Sequence, residues 1–335
     1  MQNKKRKRLN MSRYQYSVYK RETGSAGGKA KNDAYDILLK EGFRPTYTPQ
    51  NNRQIRIMQQ IFSISRLRAD TELIIQYPAI SRELMNILLK KIKHISSATA
   101  LIHDLPSIQG MGGTFENEIT TLNYFDNLIV HNRVMSKYLM KMGYKGKIVE
   151  LGLFDYLHDS TKPITECNKS GVISIAGNLD KSRYVCELGK LRDCYFNLYG
   201  INKTLDLSNI YNAKYFGVLN SDEIVYKLEG DYGLVWDGES IDECSGIYGK
   251  YLQYNNPHKL SLYIAAGKPV ITWKKAAIAQ FVERENIGIT VDSLRELEKI
   301  DLMKDYDAKR SNVLKIKNRI ANGYYLSQAI ESIYR

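Results

Sequence analysis

A chain of 335 residues is longer than one typical domain and leads to an expectation of two. At 43% hydrophobic and 25% charged it has ample core material, yet no apolar run reaches the length of a membrane-spanning helix. The net charge of +13 points to an anionic partner, either a phosphorylated small molecule or a membrane surface; the basic residues are scattered and no nucleic-acid-binding motif accompanies them, which sets nucleic acid aside.

Part of the charge is local. Lys4 to Arg8 reads KKRKR, and residues 1–12 are taken as a basic disordered arm. No apolar stretch follows this start, so no signal peptide is expected. Cys167, Cys186, Cys194 and Cys244 lack CxxC spacing and suit a reduced cytoplasmic protein better than a disulfide framework or a zinc site.

In chain order, Tyr14 to Lys20 alternates as a strand does. Thr23 to Gly28 is a glycine-rich turn, and Lys29 to Lys40 is a helix with Gly42 as its stop. Strand, glycine turn and helix is a form in which backbone can approach a ligand closely, although no GxGxxG fingerprint is present. A helix at Gln54 to Leu67 follows, then a strand at Thr71 to Gln76 ending in Tyr77-Pro78, and a helix at Ile80 to Ile92. Next come a strand at Ala98 to His103 with Asp104 just past it, a helix at Glu116 to Tyr124, a strand at Asn127 to His131, and a helix at Arg133 to Met142. Such alternation predicts a parallel sheet with helices on both faces and ligands at the carboxyl ends of the strands. The glycine turn, Tyr77-Pro78 and His103-Asp104 would then share one rim.

Residues 153–170 lack periodicity and read as a linker between a first domain at 13–152 and a second at 171–310. The second begins with a strand at Gly171 to Ala176, the pair Gly177-Asn178, and a helix from Lys181 to about Lys190. Strands follow at Tyr195 to Tyr199, Tyr215 to Leu219 and Tyr232 to Trp236, with a helix at Ser221 to Leu228. In Tyr254 to Trp273, Asn256 is the expected N-cap, Pro257 the first helical residue, Gly267 the stop, and Val270 to Trp273 a buried strand. A helix near Ala277 to Glu285, a strand near Ile287 to Val291 and a mostly helical tail from Asp307 complete the chain. Residues 311–335 are expected to pack back on the first domain.

Asp104, preceded by His103, is a carboxylate at a strand's carboxyl end, placed as a general base would be; a loop or cap aspartate is the alternative. His103, His131 and His258 have no partner at metal-ligand spacing, so no metal is expected. In the second half, Gly177-Asn178, Lys181, Arg183 and Lys259 are phosphate-binding candidates. Two helix N-termini carrying lysines can stabilise a departing diphosphate without a metal, though each lysine alone could be merely solvated.

Five segments carry a family likeness: SAGGKAKND (Ser25 to Asp33), LIHDL (Leu101 to Leu105), IAGNLDKSRY (Ile175 to Tyr184), YGLVWDG (Tyr232 to Gly238) and YNNPHKLSLYIAAGKPVI (Tyr254 to Ile271). With them the chain resembles the bacterial GT-B glycosyltransferases typified by the enzyme that adds glucose to GlcNAc on serine-rich-repeat adhesins. Relatives in that group are described as β-1,6-galactofuranosyltransferases of polysaccharide assembly. The resemblance spans Tyr14 to the C-terminus and implies an α/β fold of two Rossmann-like domains facing across a cleft, with a C-terminal helix crossing back. It implies that Lys259 binds the donor diphosphate and that Lys181 stands where the adhesin enzyme has an arginine. Lysine keeps the charge but not the bidentate fork, and Arg183 is a substitute for it. Ser25 and Gly27 would approach the donor from the glycine turn, Asn256 shares the Lys259 motif, and Tyr215 or Phe216 falls near a donor-contacting tyrosine. Asp104 matches the family's His-Asp pair.

The expectation is therefore a cytoplasmic hexosyltransferase, inverting and metal-independent. It would move glucose or galactofuranose from a UDP-sugar to a carbohydrate hydroxyl on a glycoprotein or lipid-linked glycan. No cofactor is expected beyond the UDP-sugar donor substrate. The relatives imply a homo-oligomer, and the basic surface permits peripheral contact with the inner face of a membrane. The alternatives are a GT-B-like epimerase or phosphorylase, and a catalytically silent subunit that stabilises another transferase.

Overall fold

The computed structural model describes residues 11–16, 26–48, 52–78, 82–110 and 114–334. The chain divides into two compact units, one of residues 1–22, 31–151 and 326–335 and the other of residues 23–30 and 152–325.

The first unit is built from β1 (Ser12–Tyr16), α1 (Ala26–Lys40, whose first turn is counted with the second unit), β2 (Arg44–Pro45), α2 (Arg53–Ser65), β3 (Thr71–Tyr77), α3 (Arg82–Ile92), β4 (Ser97–Ile102), α4 (Phe115–Leu122), β5 (Asn127–Val130), α5 (Arg133–Lys141) and β6 (Lys147–Glu150). Its six strands pair in the order β2-β1-β3-β4-β5-β6, all parallel. The central strands are covered on both faces: every residue of β3 and of β5 is buried, the apolar centres Leu73–Ile75 and Leu128–Val130 together with polar Glu72, Gln76 and Asn127. Helix starts follow local chemistry. Asn132 Oδ1 accepts from the Val134 and Met135 N–H groups at 2.9 and 3.0 Å, capping α5. Tyr334, from the end of the last helix, packs into this unit's core, with its hydroxyl 2.7 Å from Thr99 Oγ1 and its ring 5.3 Å from that of Phe43.

The second unit contains β7 (Ile173–Ala176), β8 (Phe196–Tyr199), β9 (Ala213–Tyr215), α6 (Ile224–Lys227), β10 (Tyr232–Val235), α7 (Gly246–Tyr251), α8 (His258–Ala265), β11 (Val270–Trp273), α9 (Ala279–Arg284), β12 (Gly288–Val291), α10 (Tyr306–Ala321) and α11 (Tyr324–Tyr334, most of it counted with the first unit). Its sheet is again six-stranded and parallel, in the order β12-β11-β10-β7-β8-β9. The chain leaves β7 toward β8 and β9, then returns to β10 on the other side. The point of reversal lies between β7 and β10, where an open α/β sheet forms a crevice beyond its carboxyl ends.

Several sequence expectations are corrected. The stretch from Lys181 to Lys190 is not an α-helix but two 3₁₀ turns, Leu179–Lys181 and Arg183–Lys190. Ser182 interrupts them at φ −116° and ψ 60°, and no side chain caps the second turn. The helical tail is broken at Gly323, which has φ +76°, into α10 and α11. Pro257 is the N-cap of α8 rather than its first residue, and Asn256 is not the cap. Gly267 does end α8 in the left-handed region, at φ +69°.

Candidate functional site

Beyond the carboxyl ends of β7 and β8, within the second unit, lies a pocket of ≈ 360 Å³. Its floor is backbone: Ala176-Gly177-Asn178 after β7 and Tyr199-Gly200-Ile201 after β8. Gly177 and Gly200 have φ of +145° and +126°, and a Cβ on Gly200 would lie 1.7 Å from the Gly177 carbonyl oxygen. Only glycine lets these two turns touch. Tyr263 of α8 supports the same floor from beneath. Its ring occupies the space a side chain at Gly233 would need, and its hydroxyl accepts from the Ala176 N–H at 2.9 Å.

The first turn of α8 delivers the pocket's cation. Lys259 Nζ lies 2.7 Å from Asp237 Oδ1 and 3.1 Å from the Trp236 carbonyl, just past the end of β10. The two side chains are 17% and 21% exposed, so the pair is mostly shielded from water, and Lys259 lines the pocket. Lys181 adds a second ammonium at the wall, with Nζ 4.9 Å from the centre of the Tyr248 ring. Two ammonium groups and glycine-lined backbone suit a phosphate-bearing ligand, helped by the N–H groups that a helix's first turn leaves unbonded.

His258, beside Lys259, stacks on Tyr156 with ring centres 4.9 Å apart and planes at 18°. Burial pushes its imidazole down to about 4, and the nearby Lys29 charge adds to this against the Asp155 carbonyl. It is therefore a neutral ring at physiological pH. Lys29, from the first turn of α1, donates to the Leu157 carbonyl at 2.7 Å and pairs with Asp222 Oδ1 at 3.1 Å. Its Nζ also sits 5.1 Å from the centre of the Tyr156 ring. Gly27, two residues earlier, lines the pocket.

The first unit carries its own polar cluster past β3 and β4. His103 Nε2 is 2.8 Å from Gln76 Oε1, and Gln76 Nε2 donates to the Lys31 carbonyl. That fixes the Gln76 oxygen toward the ring, so His103 carries its proton on Nε2. Asp104 Oδ1 accepts from Gln109 Nε2 at 3.1 Å. Next to them, buried Glu118 accepts from the Tyr77 hydroxyl at 3.0 Å and from Ser107.

Of the residues singled out from sequence, Gly27, Gly177, Asn178, Lys181 and Lys259 line one pocket. Arg183 is exposed and does not line it. Asn256 is 4% exposed and donates to the Gly152 carbonyl at 2.6 Å, outside the lining. The two aromatic candidates act behind the wall. Tyr215 donates to the Gly200 carbonyl at 2.8 Å, and Phe216 stacks 4.8 Å from the lining residue Tyr199. Ser25 lies outside the described residues. Sequence reading missed Asp237, Tyr156, Tyr199 and Gly200. For Gly200 the signal was present as a glycine directly after a strand; the others depend on tertiary contacts.

Residues 13–153 match the family described as glucosyltransferase 3-like, N-terminal domain, and residues 173–333 match glucosyltransferase 3-like, C-terminal domain. The chain is 37% identical over 241 residues to beta-1,6-galactofuranosyltransferase WbbI of Escherichia coli (strain K12), covering 70% of each chain. It is 24% identical over 258 residues to glucosyltransferase 3 of Streptococcus gordonii, covering 74% of each. Among solved structures, Anabaena Alr3699/HepE in complex with UDP-glucose matches with a TM-score of 0.58 at 11% identity, over 96% of this chain and 99% of that one. Sucrose-phosphate synthase from Thermosynechococcus elongatus matches with 0.55 at 12%, over 86% and 80%. At such identities the likeness is one of fold, and the fold is that of the GT-B glycosyltransferases.

Proposed function

The chain belongs to the glucosyltransferase 3-like family of glycosyltransferases, and on that premise we propose an inverting, metal-independent hexosyltransferase with a UDP-sugar as donor. UDP-glucose and UDP-galactofuranose are the two donors the relatives' names favour. The acceptor in this reading is a carbohydrate hydroxyl on a glycoprotein or lipid-linked glycan. Four free cysteines suit a reducing compartment, so a cytoplasmic location goes with it.

One observation carries the donor assignment: Lys259 and Lys181 line one pocket with the backbone of Gly177 and Gly200, beside the reversal point of the second sheet. In the proposed step an acceptor oxygen forms a bond to the anomeric carbon while the bond from that carbon to the β-phosphate oxygen breaks. The electron pair leaves with UDP, and Lys259 and Lys181 offset the charge that develops on its diphosphate. Two cations at the pocket, Lys259 shielded and Lys181 exposed at the wall, supply charge that a divalent ion would otherwise supply, and this supports the metal-independent reading. Asp104 takes the hydroxyl proton. Attack opposite the leaving diphosphate inverts the anomeric centre.

The deciding experiment is a thermal-shift panel of UDP, UDP-glucose, UDP-galactose, UDP-GlcNAc, GDP-mannose and ADP-glucose, followed by acceptor-dependent release of UDP. A ligand at about 100 times its Kd adds roughly 2.7 kcal/mol and raises the melting temperature by a few degrees. Shifts confined to UDP and its sugars, with UDP release that needs an acceptor, are expected. Binding without acceptor-dependent release would favour the silent-subunit reading, and no shift at all would remove the donor assignment.

A further inference from the structure

Helix α2 is amphipathic in the reverse sense. The side turned toward its own unit, with the turn that follows, carries Gln60, Ser63, Ile64 and Leu67 at 3%, 6%, 1% and 4% exposure. The two polar members are satisfied there: Gln60 Nε2 donates to the Tyr47 hydroxyl at 3.0 Å, and Ser63 Oγ to the Gln60 carbonyl at 2.8 Å. The opposite side carries Ile55, Met58, Ile61 and Phe62, exposed at 49%, 70%, 43% and 61%. At these spacings the four fall within roughly one third of the helix circumference. Helix α3 packs beside α2 and adds the exposed Ile87. Single exposed apolar residues are ordinary; a stripe of four, with glutamine and serine buried behind it, marks a contact surface.

Charge identifies the partner. Residues 52–70 contain Arg53, Arg56, Arg66 and Arg68 against one acidic residue, Asp70, which lies 3.6 Å from Arg68 Nε. The Arg66 guanidinium lies 5.0 Å from the centre of the Phe62 ring, so cation and aromatic share the edge of the stripe. Helix α3 ends in Lys90 and Lys91, with Lys93 just beyond. A second copy using the same face in a two-fold pair would bring these cations against themselves. Exposed apolar side chains rimmed by cations suit an anionic headgroup layer.

We propose that this face of α2, with the C-terminal end of α3, docks on an anionic phospholipid surface. Met58 and Phe62 insert among the headgroups, and Arg66, Lys90 and Lys91 lie at the level of the phosphates. The assignment stands apart from the donor pocket, which is lined by residues of the second unit, Gly27 among them.

The test is co-sedimentation of the full chain with vesicles of phosphatidylcholine alone and with vesicles rich in phosphatidylglycerol. The wild-type chain is expected to partition onto the anionic vesicles only. The double variant Met58→Gln/Phe62→Gln is expected to bind them at least ~10-fold more weakly, with its melting temperature and UDP-induced shift unchanged. Binding that survives both substitutions would assign attachment to charge alone, as from the Lys4 to Arg8 run, and overturn the proposal. Absence of wild-type binding would overturn it as well, and so would a wild-type dimer that the double variant converts to a monomer, which makes the face a contact between copies.

Discussion

Lys259 reaches the pocket with its charge already engaged: its Nζ is 2.7 Å from Asp237 Oδ1, across 22 residues of sequence. The carboxylate and the Trp236 carbonyl aim the ammonium while leaving it one proton to donate. Removing Asp237 has two opposed effects, a freer cation for the diphosphate and a less directed one. Because the pair is largely shielded, we expect direction to dominate. Asp237→Asn should lower kcat/KM by about 10-fold, and Lys259→Ala by about 10²-fold or more, both with the fold intact. Steady-state kinetics with donor varied, beside a melting curve, measure this; wild-type turnover in Asp237→Asn would show that the carboxylate positions nothing needed.

Asp104 is held by Gln109 through one of its two oxygens. If it is the base, Asp104→Asn keeps the shape and the amide contact and removes the proton acceptor. Turnover should fall by 10²-fold or more, of the order ascribed to general-base catalysis, with the UDP-induced thermal shift unchanged. Equal losses of binding and turnover would point instead to a structural role.

The turn at Gly200 admits no side chain, since a Cβ there would collide with the Gly177 carbonyl. Gly200→Ala should destabilise the second unit by roughly 2 kcal/mol or more and reduce the UDP-induced shift, because the pocket floor must move. Urea unfolding with and without UDP separates the two effects. The same substitution at Gly27, where nothing lies within 4 Å of the added Cβ, should leave stability nearly unchanged.

His131 is 1% exposed and its Nε2 lies 3.1 Å from the Ile102 carbonyl. Burial lowers its pKa from 6.5 to about 4, despite the backbone carbonyls that favour its charged form. The unfolded chain therefore takes up a proton near pH 6.5 that the folded chain refuses until about pH 4. Its neutral form contributes fully above pH 6.5, and stability drops as the pH falls from there toward 4. The slope from one such group is about 1.4 kcal/mol per pH unit. His131→Gln should reduce the slope of unfolding free energy against pH in that window by this amount. The remaining slope includes His258, whose imidazole is also pushed down to about 4.

The strands that carry the fold are legible because they are buried on both faces and so have an apolar centre: LII within β3, YGLV for β10 and VITW for β11 are examples. β6 was missed because KIVE is a short edge strand with both ends exposed, which leaves no apolar pattern. α7 was missed because two glycines interrupt GIYGKY. The stretch after Asn178 was read as a helix because its apolar residues recur at near-helical spacing; 3₁₀ turns give a similar pattern over so few residues. At the site, glycines and lysines next to strand and helix ends could be read directly. Asp237 could not be assigned its partner, because sequence spacing says nothing about which strand end faces which helix start.

The last residues of the chain belong to the unit that begins it. Tyr334, 4% exposed, meets Thr99 and Phe43, and its ring lies 5.7 Å from the Arg13 guanidinium carbon. A ribosome that has released only residues up to about 151 has not yet made a piece of that unit's core. The usual order, in which the N-terminal unit is finished first during synthesis, does not hold here. The first unit's packing at Thr99, Phe43 and Arg13 is complete only once Tyr334 has been made. Loss of even a few C-terminal residues should therefore show up as a defect at the other end of the chain.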